Sequence, residues 1–292
     1  MKTPVSLVAA AMILAAPVEL AAQWPAYPTL AVPRTPEGKP KLDAPTPRTA
    51  DGKPDLSGLW VNPRVAGGQP PAPVQPGAPI QPAVPAQPAT PTPPASGPPA
   101  PTFRDVGAAF KDGLPFQPWA LELRKKRQEQ NSKDNPDARC LPMGFMQFHM
   151  HPQPRKIIQT PGLILIMYEA NNGLRQIFMD GRSLPGPDVQ PWWYGYSVGK
   201  WDGDTLVVET TGLRDGGWLD IIGSPQTDAA RVTERFRRVN YGTMEIEVTV
   251  DDPKAYTKPW TVKFTQRIMP DAQLIEFICA ENDTSPAHMV GK

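Results

Sequence analysis

From Met244 to Asp251 apolar and polar side chains alternate without a break, with Met244, Ile246, Val248 and Val250 set against Glu245, Glu247, Thr249 and Asp251. Successive side chains of a strand face opposite ways, so this period of two predicts a half-buried β-strand. Val232 to Val239 shows the same period, and Asn240-Tyr241-Gly242 supplies the turn between them. Pairing around that turn sets Arg235 and Arg237 against Glu245 and Glu247 on the wet face. Glu234 and Phe236 then fall on the apolar face with Ile246 and Val248. A slip of one residue would reverse every one of these placements.

A second hairpin precedes it. Asp202-Gly203 tolerates the positive φ angles of a two-residue loop, which sets Trp201 opposite Asp204. Counting outward places Val198 opposite Val207, Tyr196 opposite Glu209 and Tyr194 opposite Thr211, all on one face. Glu209 is therefore expected among aromatic and aliphatic neighbours on the apolar side.

The pattern extends upstream and downstream. Residues 155–160, 163–169 and 174–180 read as strands separated by Pro161-Gly162 and Asn172-Gly173. Trp260, Val262 and Phe264 alternate with Thr261, Lys263 and Thr265, and residues 273–279 supply a further strand. With Gly58-Leu59-Trp60 as the first, about ten strands are predicted, mainly β and antiparallel, a meander closing into a β-barrel or curved sandwich. One short helix is predicted over 117–130, with Lys125-Lys126-Arg127 on its solvated face and Pro136 beyond its end.

The N-terminal third reads differently. Residues 1–22 carry one lysine, an apolar run from Val5 to Val18 and small residues at Ala21-Ala22, the layout of a secretory signal peptide. The apolar run is too short for a membrane span. A periplasmic or extracellular protein is expected. Residues 23–56 hold an imperfect repeat, Pro33 to Leu42 and Pro47 to Leu56, read as extended surface segments, and 57–62 form the first strand. Over 63–102 proline recurs at every third position from Pro70 to Pro94, which suits a polyproline II spacer up to roughly 100 Å long. Residues 103–154 are an irregular and helical connection, 155–285 the barrel domain and 286–292 a tail.

A net charge of +1 from 30 basic and 29 acidic residues, without long blocks of either sign, gives no footprint for nucleic acid or an anionic membrane. Two cysteines in an exported chain, Cys140 and Cys279, point to a disulfide worth roughly 5 kcal/mol by the chain-entropy model, two buried thiols being the competing reading. Phosphate-loop, dinucleotide, zinc and Gly-x-Ser-x-Gly patterns are absent.

Candidate chemistry centres on Glu209 and Glu234. Carboxylates on an apolar face are desolvated, and two at different depths can divide into acid and base. The competing reading ties each to an arginine such as Arg182 or Arg238 in a structural ion pair. Trp193, Tyr194, Tyr196 and Trp218, with Arg182 and Asp180, could line a ligand pocket or simply pack the barrel. His149 and His151, on an extended segment, would present both imidazoles to one side, and with Met143, Met146 and Met150 nearby would suit copper or another metal. Otherwise no cofactor is expected, and the methionines fill gaps.

Taken together, Pro47 to Trp60, Asp180-Gly181-Arg182, Gly195 to Thr210 with its Trp-Asp-Gly-Asp-Thr-Leu core, and Thr233-Glu234-Arg235-Phe236 resemble a large uncharacterised family of secreted bacterial proteins. The likeness covers most of the chain outside the proline-rich stretch and implies no activity. Gly58-Leu59-Trp60 is also similar to the first-strand Gly-x-Trp of lipocalin-type barrels. The leading expectation is a secreted barrel that binds a small apolar or glycan-like molecule. The alternatives are a lyase, isomerase or glycoside hydrolase acting through Glu209 and Glu234, and a structural cell-envelope protein spaced by its proline rod.

Overall fold

The structure, a computed structural model, describes residue 29, residues 31–63, residues 101–279 and residue 281. The expected signal peptide, nearly all of the proline-rich stretch and the tail lie outside the described residues. Among the described residues there are eleven strands: β1 (Gly58–Val61), β2 (Arg155–Gln159), β3 (Leu163–Tyr168), β4 (Leu174–Phe178), β5 (Tyr196–Asp202), β6 (Thr205–Thr211), β7 (Gly217–Trp218), β8 (Pro225–Gln226), β9 (Arg231–Asn240), β10 (Thr243–Asp251) and β11 (Trp260–Ile268). Nine of them close a barrel in the order β1-β11-β10-β9-β6-β5-β4-β3-β2, and β7-β8 form a separate ribbon. Closure removes the free edges that a nine-stranded sheet would otherwise leave open.

The barrel departs from a pure antiparallel meander at β4 and β5, which run parallel through Ile177–Ser197 and Phe178–Val198. Residues 179–195 join them, a connection long enough for the crossover that a parallel pair requires. Residues 273–278 run without strand pairing, because β1 already bonds both β2 and β11 and leaves no edge for another strand. That segment is held instead by side chains and by the Cys140–Cys279 disulfide. The Ile275 N–H donates to Glu169 Oε2 at 3.2 Å, and Asn172 Nδ2 donates to the Phe277 carbonyl at 2.9 Å.

Inside, the expected β9–β10 register is present, with Phe236 opposite Ile246 and Glu234 opposite Val248. Trp60, Ile157, Ile164, Ile166, Ile177, Leu206, Val208, Phe236 and Ile246 are buried there. One end of the barrel is filled by helix α2 (Phe145–Met150), an element absent from the sequence reading, in which all six residues are buried. Its Phe148 stacks on Tyr168 of β3 and its His149 on Phe264 of β11. Helix α1 (Pro118–Glu129) lies outside on β8, starting on Pro118, where the missing N–H costs nothing. Lys125 and Lys126 are solvated as expected, but Arg127 turns inward over the Trp218 ring and donates to the Gly223 carbonyl.

The two copies of the N-terminal repeat are tight turns, not extended segments. In each, a threonine N–H bonds the lysine carbonyl four residues on, Thr35 to Lys39 and Thr49 to Lys53. Gly38 and Gly52 adopt φ of +81° and +79°, the left-handed conformation that selects glycine. Arg34 and Arg48 donate to the carbonyls of Gly38 and Gly52, then reach Asp271 and Asp204 on the barrel. The repeat in the sequence is thus a repeated clasp.

Candidate functional site

The β5–β6 hairpin turns one residue later than the sequence suggests, with Asp202 opposite Thr205, Val198 opposite Glu209 and Tyr196 opposite Thr211. Of the residues expected to share a face, Tyr196, Val198, Val207, Glu209 and Thr211 do so, but it is the outer one; Tyr194, ahead of β5, packs inward on Phe148. Ser197, Thr210, Leu206 and Val208 occupy the interior. Two aromatic or aliphatic neighbours on a strand do not decide which face is inward when the opposite face also carries Val208 and Leu206. Glu209 is therefore exposed, 3.8 Å from Lys200, while Glu234 is fully buried. The two carboxylates stand on opposite sides of the barrel wall and cannot act as one acid–base pair.

Glu234 sits at the centre of an interior ionic cluster. Arg175 Nη1 donates to its Oε1 at 2.9 Å and Nη2 bonds its Oε2, while His149 Nε2 lies 2.6 Å from Oε1. Arg175 also donates to Ser197 Oγ and Thr210 Oγ1, each at 3.0 Å. Arg155 Nη1 approaches His149 Nδ1 at 3.3 Å, and Nη2 donates to the His149 carbonyl. An arginine only donates, so Nδ1 must accept and Nε2 must carry the proton toward Glu234. A neutral imidazole in one tautomer satisfies both contacts.

The electrostatics agree with that geometry. Burial opposes the charge on Glu234, but Arg175 and His149 outweigh it and hold the carboxyl down at about 2. Burial outweighs the pull of Glu234 on His149 and keeps the imidazole below its ordinary range. Burial lowers Arg155 to about 10, still a cation at neutral pH. The cluster is an ion pair with a bridging histidine, so the structural alternative holds for Glu234, with Arg175 as partner instead of Arg182 or Arg238. Arg175 and Arg155 were missed, although strand parity aligns them with Ile177 and Ile157 on the inner face.

The expected metal pair does not form. His149 belongs to α2 and spends both nitrogens on Glu234 and Arg155, while His151, just past the helix, packs its ring edge-on against Phe103 at 4.6 Å. Helical backbone, not an extended segment, separates them. Met143, Met146 and Met150 are buried packing residues. Among the described residues no group of three or more His, Cys, Asp or Glu is placed to hold a metal ion.

The aromatic residues also separate. Tyr194 packs on Phe148 at 5.3 Å, Trp218 is buried in β7 beneath Arg127, and Trp193 lies under Arg214 at 5.2 Å. Tyr196 joins an outer-wall group instead. Its ring stacks on Phe178 at 5.0 Å and meets Trp192, 39 % exposed, at 5.4 Å. Arg182 lies 3.9 Å over the Phe178 ring, donates to Tyr196 Oη at 3.0 Å and pairs with Asp180. Arg182 also lines a groove of about 350 Å³ with Ser183, Val198, Lys200, Val207 and Glu209. Four of the expected site residues, Asp180, Arg182, Tyr196 and Glu209, thus gather on the outside of the barrel.

No protein-family model, curated protein or solved structure matches the chain. Among the described residues no helix is long and apolar enough to cross a membrane.

Proposed function

We propose that this is an exported barrel protein, of the secreted bacterial kind its motifs resemble, that binds glycan-type ligands on its outer wall. The carrying observation is the groove in which Arg182, Lys200 and Glu209 stand together, beside the Phe178–Tyr196–Trp192 aromatic wall. Sugars present hydroxyl groups to charged side chains and C–H faces to aromatic rings, and both partners are at hand within one surface region. Export is supported by the apolar run from Val5 to Val18 and by the disulfide, which persists in oxidising compartments.

The test is calorimetric titration of the mature protein with neutral and uronic-acid oligosaccharides, alongside Trp192→Ala, Arg182→Ala and Glu209→Gln. Each replaced residue is exposed, so the melting temperature should stay within about 2 °C while affinity falls tenfold or more. Binding that all three variants retain, or no saturable binding to any sugar, overturns the reading.

A further inference from the structure

A second cavity, of about 290 Å³, lies at the opposite end of the barrel from α2, between the second repeat, β1, the β9–β10 turn and the chain leaving β11. Leu59, Ile268, Met269, Pro270, Ala31 and Ala272 give it an apolar lining. Its polar side is cationic. Arg238, 5 % exposed, lies between the rings of Trp60 and Tyr241 at 4.9 and 5.0 Å. All its hydrogen bonds go to carbonyl oxygens, those of Asp55, Ser57, Asn240 and Tyr241. Among the described residues it has no carboxylate in salt-bridge contact.

Lys156 lines the same cavity from β2, its Nζ 3.4 Å from Gln273 Oε1. The one acid of the lining is Asp55, whose Oδ1 already accepts the Ser57 N–H at 2.8 Å. Two cations against one anion leave the cavity with an excess positive charge. Hydrogen-bonded only to carbonyls, the guanidinium stays a cation: burial brings Arg238 down to about 10 and no further, with the Asp55 carboxylate acting in the opposite sense from beyond salt-bridge contact. An unpaired charge in an apolar enclosure favours a counter-charge.

We infer that this cavity is a second binding site, distinct from the outer groove, for a small amphiphilic carboxylate whose acid group faces Arg238 and Lys156 and whose apolar body covers Leu59 and Ile268. The volume lies at the lower edge of ligand pockets, roughly 300–1,000 Å³, which selects a medium alkyl chain or a single ring. Carbonyls fill most of the Arg238 donors, so the ligand meets a positively charged wall more than a bidentate clamp. Lys156, a flexible cation at the rim, completes the charge recognition.

Octanoate is the probe, with octan-1-ol as its uncharged counterpart, titrated calorimetrically into the mature protein. Octanoate should bind one to one and at least tenfold more tightly than the alcohol. Lys156→Glu, at a half-exposed position, should leave the melting temperature unchanged and weaken octanoate tenfold or more while leaving octan-1-ol as it was. Arg238→Met should abolish octanoate binding but also loosens the segment around Asp55 and Ser57, so Lys156→Glu is the decisive variant. Equal binding of octanoate to wild type and Lys156→Glu, equal affinity for acid and alcohol, or no octanoate binding at millimolar concentration overturns the inference. Trp192→Ala should leave octanoate binding untouched, so the failure of one site is read separately from the other.

Discussion

The Nε2 atom of His149 lies 2.6 Å from Oε1 of Glu234, and through this contact the helix that fills the barrel is tied to the wall that surrounds it. Arg175 holds the other side of the same carboxylate, so helix, β4 and β9 meet at one buried charge.

Breaking this charge from one side should cost more than removing it from both. Glu234→Gln keeps the shape but strands Arg175 and Arg155 without a counter-ion, and a loss of about 3–5 kcal/mol is expected in urea unfolding. Arg175→Met should cost a similar amount by stranding Glu234. The double variant Arg175→Met with Glu234→Met should lose less than either single change alone. Singles within about 1 kcal/mol of wild type would show that the cluster contributes little to stability.

Stability should fall on the acid side in two stages. Burial lowers His151 from 6.5 to about 4 and also lowers His149, so the unfolded chain takes up protons at a higher pH than the folded one. Their contribution is complete above about pH 6.5 and is lost as pH falls toward 4. His151 alone carries an upper limit of roughly 3 kcal/mol. Glu234, held at about 2 against an ordinary 4.5, adds a second loss as pH drops below that ordinary value. Asp220, which burial raises, works against this trend. Melting temperature measured from pH 8 to 4 should show the first stage, and His151→Gln should flatten it. A flat profile across that range would contradict neutral burial of both imidazoles.

The extent to which the chain reveals this arrangement follows the strength of each local signal. Period-two strands with obvious turns, β9 and β10 above all, were legible to the residue, because six apolar positions agree on one face. The β5–β6 hairpin was not, since Trp201-Asp202-Gly203-Asp204 accepts its turn at two places and both faces carry apolar side chains. The interior cations escaped notice for a different reason. Arg155 and Arg175 each share the inward face of a short strand with a single buried isoleucine, Ile157 or Ile177, and only the closed barrel shows that Glu234 waits opposite. Helix α2 was hidden because Phe145 to Met150 is only six residues long and buried on every side, and so lacks the amphipathic period that marks a surface helix. Two residues of the outer groove, Arg182 and Glu209, were among those expected, but its location depends on which face of β5 turns outward.

The seat of α2 depends on a glycine. A Cβ placed on Gly144 would lie 2.0 Å from the Trp218 carbonyl oxygen and 2.9 Å from its carbon. The obstacle is backbone of β7, which also accepts a hydrogen bond from Gln147 Nε2 at 2.9 Å, so it cannot step aside without breaking that contact. The backbone of Gly144 itself, at φ −57° and ψ 145°, suits any residue, and the demand on glycine is wholly steric. Gly144→Ala should therefore cost at least about 2 kcal/mol, near the upper range for overpacking, by pushing the helix away from β7 and loosening the His149–Glu234 contact. Gly162→Ala, where nothing lies within 4 Å, is the matched control and should stay within about 0.5 kcal/mol of wild type. Urea unfolding of the two variants side by side decides the matter: equal stabilities would mean that β7 does not press on the start of α2.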